Sequence, residues 1–472
     1  MSFMTVERSS GVPLIRQVHD ALRDRILSGT FPPGSKLPST RELAGELGVS
    51  RNVVLEAFDQ LQAEGFLAAR KGSGTYAAAG AAFRPPELPR FSPIAAVGFR
   101  PLLKDRLDFR SGLPDLALFP INVWRNLNRD VWNRITPEDL SYGPPEGRPE
   151  LRSEIARYLN GARGVRCTAD QVVVTAGTTQ AIGIVSRLLL ESGRSSCIVE
   201  DPLTVDIRRI IGSFGGRVLP VPVDGRGLMA ERLPRSVKPA FLYVTPSHQF
   251  PLGATMPIQR RIRILEYARR LDACIVEDDY DSEFRYGAPP ISTLQGLDPL
   301  RVIYVGTFSK TLCPAMRIGY IVLPPRLVRR GRELKWFTDL HNASVDQIVL
   351  ARFIAEGHYA RHLHAMKKVY GARRAALVGA LTERFGSRVE VLGSAAGIHL
   401  CARFRGVRFT EDLLARIERA GARFPPVEEH ALRKGRFRDT ILIGYGMMDD
   451  ARLREGVEIL FRCLDRTRES VS

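Results

Sequence analysis

Between residues 171 and 308 short apolar runs alternate with long amphipathic stretches, and this alternation limits the fold more than any other feature of the chain. "QVVVTA" leads into "TTQAIGIVSRLLLE", "SSCIVE" and "AFLYVTP" follow, and "IQRRIRILEYARRLD" precedes "ACIVEDD" and then "VIYVGTF". Runs this short and rich in Val and Ile read as buried strands, and the helical stretches between them serve as crossovers. The expected fold is an α/β/α sheet of mostly parallel strands, with functional residues gathered at strand carboxyl ends. At 472 residues the chain also exceeds a single core, so further domains are expected.

The amino-terminal segment follows a different rhythm. Leu14, Ile15, Val18, Leu22, Ile26 and Leu27 fall on one helical stripe that Gly29 ends. Ser39, with Glu42 three residues on, opens a capping box for "TRELAGELG"; Gly48 closes that helix and Ser50 caps the next, "VSRNVVLEAFDQLQAEG". The turn between them is short enough for a helix-turn-helix. "FLAARKGSGTYAA" then reads as two strands around a Gly-Ser-Gly tip, an α+β winged arrangement.

This ordered set resembles the winged helix-turn-helix of the GntR regulators over residues 12–77. The resemblance implies double-stranded DNA as a partner. It places Ser50, Arg51 and Asn52 at the start of the recognition helix, Ser39, Thr40 and Arg41 at the start of the helix before it, and Lys71, Gly72 and Ser73 on the wing. Arg51 can fork onto a guanine edge and Asn52 onto adenine or phosphate. A net charge of +18 suits a polyanion partner, yet residues 1–76 hold nine Lys or Arg against eight Asp or Glu. Most of the excess lies in the large domain, as in "RRGRELKW" and "MKKVYGARR", where solvated faces or added DNA-backbone contacts are the alternatives. Residues 78–105, rich in Ala, Pro and Gly without sustained periodicity, read as a partly extended linker.

At the carboxyl ends of the expected strands stand residues with a shared chemistry. Gly177 permits a tight turn, and Thr178 and Thr179 present hydroxyls and amides at a helix N-terminus, where a phosphate is stabilised. Asp278 can pair with a protonated ring nitrogen, and Tyr280 can aim its phenol at a ring oxygen. In "GTFSKTLCPAMRIGY" Lys310 follows Thr307 and Ser309 and precedes Arg317, a lysine beside a phosphate clamp. Together these groups meet the requirements of pyridoxal 5′-phosphate.

They also resemble fold-type I aminotransferases, over about residues 106–465. "SYGPPEGRPELRSEIARYL" is similar to a segment whose tyrosine, here Tyr142, reaches the phosphate in the partner subunit's site, which implies a head-to-tail homodimer. Behind a GntR-type head the whole resembles the MocR regulators, and "DFRSGLPDLALFP", "TPSHQFPLGATMP" and "VEDDYDSEFRY" are close to segments typical of them. The resemblance implies an aminotransferase-like domain over 106–472, with a smaller α/β subdomain from about 340.

The chain departs from the enzymes at several places. Phe250 stands where they hold an Asn against the ring oxygen, and Leu252 replaces a Thr. Leu203 and Thr204 follow "VEDP" where an aromatic usually stacks on the pyridine, and Leu442 takes the place of the arginine that forks onto a substrate carboxylate. Arg436 and Arg438 are the substitute candidates for an effector's acid group. His248 reads as a turn-stabilising histidine. A lost stack is worth about 0.5–1.5 kcal/mol, against about 1.5–3 kcal/mol for each charge-assisted hydrogen bond retained, so cofactor binding is expected to weaken rather than vanish.

Six separated cysteines without CxxC spacing support neither a disulfide framework nor a zinc site, and no metal is expected. The start lacks a secretory pattern, so the cytoplasm is the expected compartment. The expected function is transcription regulation with the cofactor as sensing group for an amine, an amino acid or the cofactor itself. An active aminotransferase with a DNA-binding tether, or a regulator with a decayed pocket, are the alternatives.

Overall fold

In a computed structural model, residues 4–81, 83, 106–287 and 291–469 are described. Residues 82 and 84–105 of the expected linker lie outside them. The chain divides into two compact units, Met1–Arg100 and Pro101–Ser472.

The first unit is a winged helix-turn-helix. Helix α1 (Leu14–Leu27) buries Val18, Leu22 and Ile26 against α2 (Thr40–Leu47) and α3 (Arg51–Ala63). Ser39 caps α2 through the expected reciprocal pair, its hydroxyl accepting from the Glu42 amide while its own amide donates to the Glu42 carboxylate at 2.7 Å. Gly48 ends α2 in the left-handed region, at φ 62°, where a Cβ would be strained. Ser50 accepts from the Val53 amide and opens α3. Strands β1 (Leu67–Arg70) and β2 (Gly74–Ala77) pair antiparallel, leaving Lys71, Gly72 and Ser73 exposed at the tip.

The second unit is built on one eight-stranded sheet. Its strands are β3 (Val172–Thr175), β4 (Ser196–Asp201), β5 (Arg217–Asp224), β6 (Gly227–Leu228), β7 (Phe241–Val244), β8 (Cys274–Asp279), β9 (Val302–Thr307) and β10 (Gly319–Val322), in the spatial order β3-β10-β9-β8-β7-β4-β5-β6. The central pairs β9-β8, β8-β7, β7-β4 and β4-β5 are parallel, whereas β10 runs antiparallel to both neighbours. Val and Ile suit strands covered on both faces. Ile182, Val199, Val276 and Val305 pack on one side and Ile198, Leu242, Ile264 and Ile275 on the other. Fully burying such a side chain is worth about 1.5–3 kcal/mol.

A smaller antiparallel sheet, β11 (Val389–Leu392), β12 (His399–Phe404) and β13 (Thr440–Gly444), lies towards the carboxyl end. Helices α4 (His358–Phe385) and α5 (Asp450–Glu469) cover it, with Tyr370, Leu377, Leu400, Ile441 and Leu460 in the core. Phe109, from the beginning of the unit, joins that core and stacks on Phe424 at 4.3 Å. Among the described residues no helix is long and apolar enough to cross a membrane.

Candidate functional site

Strand alternation sorts the three consecutive carboxylates of β8. Glu277 and Asp279 face one way. Glu277 accepts the Leu294 and Gln295 amides, both at 2.9 Å, while Asp279 pairs with Arg163 at 2.6 Å and accepts the Tyr304 phenol. Asp278 faces the other way, takes the Tyr243 hydroxyl on Oδ2 and leaves Oδ1 buried without a hydrogen-bond partner. Burial pushes its carboxyl up to about 7, against the Tyr243 hydrogen bond and the Lys310 charge. Glu200, at the end of β4, is likewise raised to about 7 by burial, and its Oε1 is also unpaired.

Lys310 follows β9 and is half-buried, its Nζ donating to the Gly112 carbonyl at 2.7 Å. Burial lowers its pKa; Asp281 and Asp278 oppose that, and Arg317 adds to it. These charges therefore act on one another at the strand ends. Thr307 Oγ1 accepts the Ser309 amide and lies 3.1 Å from its hydroxyl, which holds the turn before Lys310. The Arg317 guanidinium lies against Gly177 and donates to the Ala176 carbonyl. A Cβ on Gly177 would stand 2.7 Å from Arg317 Nη2, and its φ of 85° with ψ of −179° is a region essentially open to glycine alone. Gly177 opens the helix Thr178–Leu190, so the Thr178 and Thr179 amides lie beside the guanidinium and lack intrahelical acceptors. Such a turn suits a dianion.

Other expected residues are placed differently. Tyr280 donates its hydroxyl to the His248 carbonyl at 2.9 Å, so a ring oxygen would have to compete for it. Phe250 packs edge-on to Tyr280, His399 and His430. Leu203 is buried and Thr204 begins a helix, so this turn supplies no aromatic. Tyr142 is 78% exposed and meets the His341 ring edge-on. Leu442 packs in an apolar cluster with Leu252, Cys401 and Phe437. Arg436 lines a cavity of about 640 Å³ with Asp224, Arg285 and Glu390, and both Arg436 and Arg438 line another of about 800 Å³ with Arg408 and Asp439. Neither cavity includes Lys310, Asp278 or Arg317.

In the amino-terminal unit Arg41, Arg51 and Asn52 are exposed, Thr40 is half-buried, and Arg51 Nε donates to Thr40 Oγ1 at 3.4 Å. The hydroxyls of Ser39 and Ser50 are engaged as helix caps. Arg70 lies 4.5 Å over the Tyr76 ring on the wing. Lys36 pairs by a backbone bridge with Tyr76 and its side chain lies against Gly74. Lys36 was not legible as a wing residue, because it precedes the wing by a whole helix-turn-helix.

A DNA-reading head joined in one chain to an enzyme-like fold with a lysine, an acid and an anion turn at its strand ends defines a class of transcription regulator. The model for bacterial regulatory proteins of the gntR family matches residues 14–77, and that for aminotransferase class I and II matches residues 104–458. The chain belongs to this aminotransferase family, in the branch of MocR-type transcription regulators with a gntR-family head. It is 37% identical to a probable rhizopine catabolism regulatory protein MocR of Rhizobium meliloti, covering 97% of this chain and 95% of that protein. It is 33% identical to the pyridoxine biosynthesis regulator PdxR of Corynebacterium glutamicum over 76% of each. Among solved structures, a Pyrococcus horikoshii kynurenine aminotransferase in complex with PMP matches with a TM-score of 0.70 and 26% identity, over 77% of this chain and 91% of that one. A Thermus thermophilus α-aminoadipate aminotransferase, LysN, matches with a TM-score of 0.70 and 26% identity, over 77% and 92%.

Proposed function

We propose that this regulator holds pyridoxal 5′-phosphate at Lys310 and uses it to sense an amine, an amino acid or the cofactor itself. The observation that carries the reading is the unpaired Asp278 Oδ1, a buried acceptor in the pocket of a lysine and a glycine-seated arginine. Leaving such an atom unpaired costs about 1–3 kcal/mol, which a protonated ring nitrogen would recover. When bound, the cofactor supplies an aldehyde that exchanges amines reversibly. Arg317, the Thr178 and Thr179 amides, and the hydroxyls of Thr307 and Ser309 hold its phosphate. Asp278 keeps the ring nitrogen protonated. Lys310, whose lowered pKa favours the neutral amine, provides the nucleophile, and its proton has the Gly112 carbonyl as a resting acceptor. Tyr280 and Phe250 border the ring-oxygen side, and Tyr142 serves the site of a second subunit in a homodimer.

Ser50, Arg51 and Asn52 read the major groove, Arg41 and the wing residues Lys71 to Ser73 hold the backbone, and ligand exchange at Lys310 changes how two heads meet DNA. Such coupling requires that the ligand bind two conformations with different affinity. Turnover is disfavoured by Leu442 and Phe250, which remove two of the enzymes' orienting contacts. The test is visible absorbance of the purified protein with the cofactor, together with DNA footprinting with and without amines. Wild type should turn yellow, Lys310→Ala should not, and added amine should change the footprint of wild type alone. Colour that persists in Lys310→Ala overturns the reading. Sustained multiple turnover with amino donors and 2-oxo acids would favour an aminotransferase instead.

A further inference from the structure

Three buried side chains from separate segments converge at the seam between the large sheet and the smaller one. His248 lies in the loop after β7, Asp281 just past β8, and His399 begins β12. Each has about 1% of its side chain exposed.

Both imidazoles are oriented from their far side. His248 Nε2 lies 3.3 Å from the Gly393 carbonyl and His399 Nε2 lies 3.2 Å from the Pro251 carbonyl. A carbonyl only accepts, so each Nε2 carries a proton, and in a neutral ring Nδ1 then presents a lone pair. Those lone pairs face the Asp281 carboxylate: His248 Nδ1 is 2.9 Å from Oδ1, and His399 Nδ1 is 3.8 Å from Oδ2. The longer gap is too wide for a hydrogen bond and too narrow to admit a water between them. Asp281 Oδ2 also accepts the Ile398 amide at 3.3 Å, and in this dry place the carboxylate and two neutral-ring lone pairs can face one another only with a proton or a metal cation among them. The backbone is shaped to allow this approach, since a Cβ on Gly397 would stand 2.2 Å from His248 Cε1 and 2.3 Å from Asp281 Oδ2.

We propose that His248, Asp281 and His399 bind one divalent transition ion of the zinc type. Their ligand atoms lie within 4.8 Å of one another, and ligands about 2.0–2.2 Å from a tetrahedral zinc stand about 3.3–3.6 Å apart, so the His248–Asp281 pair opens slightly and the wider pairs close slightly to complete the set. Backbone carbonyls holding the outer nitrogen of ligating histidines are the usual supporting arrangement. Two imidazoles with one carboxylate favour zinc, cobalt or nickel over the oxygen-seeking magnesium and calcium. The Tyr280 hydroxyl, 3.3 Å from His248 Nδ1, stands beside the fourth position. The ion ties the loop after β7 and the segment just past β8, which carries Tyr280, to β12, so it clasps the two sheets beside the end of the strand that carries Asp278. This inference stands independently of whether the cofactor binds.

The rival occupant is a proton shared by His248 and Asp281. The full-length protein, freed of cofactor, is stripped with a chelator, desalted, loaded with zinc or cobalt and dialysed. Metal content is then compared with His399→Gln and Asp281→Asn. The expected result is one equivalent per chain in wild type and at least a tenfold lower occupancy in both variants. Cobalt-loaded wild type should show the visible bands of tetrahedral nitrogen and oxygen ligation. Uptake in wild type no greater than in the variants overturns the proposal in favour of the proton. A cobalt spectrum dominated by thiolate charge transfer overturns it too, because the metal would then sit on one of the six free cysteines; that spectrum needs no variant to fold.

Discussion

Tyr243 donates its phenolic proton to one oxygen of Asp278 and leaves the other oxygen, equally enclosed, with nothing to accept. Replacing Asp278 with Asn keeps the shape and removes the charge. A charge-assisted hydrogen bond is worth about 1.5–3 kcal/mol, so cofactor affinity should fall about tenfold to a hundredfold in Asp278→Asn. Absorbance titration measures this, and the variant's affinity for DNA in the absence of cofactor should match wild type.

The same acid makes stability depend on pH. Asp278 and Glu200 are raised from 3.8 and 4.5 to about 7 by burial. Between about pH 4 and pH 7 the native cofactor-free protein keeps protons that the unfolded chain has released, so these two groups make stability fall as pH rises through that window and level off above it. Melting temperatures of the cofactor-free protein across this range should show the decline. Asp278→Asn should flatten part of it.

Gly177→Ala tests the anion turn. Its backbone conformation costs a residue with a Cβ about 1–3 kcal/mol, and the added methyl would meet Arg317 Nη2 at 2.7 Å. The guanidinium must move. Thermal unfolding should show a modest loss of stability, whereas phosphate protection and cofactor retention should fall much further, by about tenfold or more.

Arg51 is exposed at the start of α3 and braced by Thr40. Arg51→Ala should cost about 1–3 kcal/mol in binding to the cognate site, with little effect on non-specific binding. Lys36→Ala, which alters a side chain packed along the wing, should weaken binding to all sequences and reduce its salt dependence. Competition binding at two salt concentrations separates the two outcomes.

The placement of the candidate site residues at strand ends was legible because parallel strands bring their carboxyl ends side by side. Gly177, Asp278 and Lys310 each follow or end a strand, so linear motifs far apart in the chain meet at one edge. The partners of those residues were less accessible. Nothing in "VEDDYD" reveals that Tyr280 turns to the His248 carbonyl, or, until pleating is imposed, that Asp278 faces away from its neighbours Glu277 and Asp279. Arg436 and Arg438 stand close in sequence to β13, yet the turn that carries them opens onto other cavities. The grouping of His248, Asp281 and His399 depends on how the smaller sheet docks, and long-range packing of that kind leaves no local periodicity.

Leu442 is 1% exposed, at the position that the aminotransferase resemblance assigns to an arginine. An arginine introduced there would thrust an ionised head among Leu252, Cys401 and Phe437, and a charge stranded in hydrocarbon is among the costliest single changes a protein can suffer. The packing thus works as a lock: an arginine at 442 could not be accommodated by one substitution, because the neighbouring side chains would have to be rebuilt first.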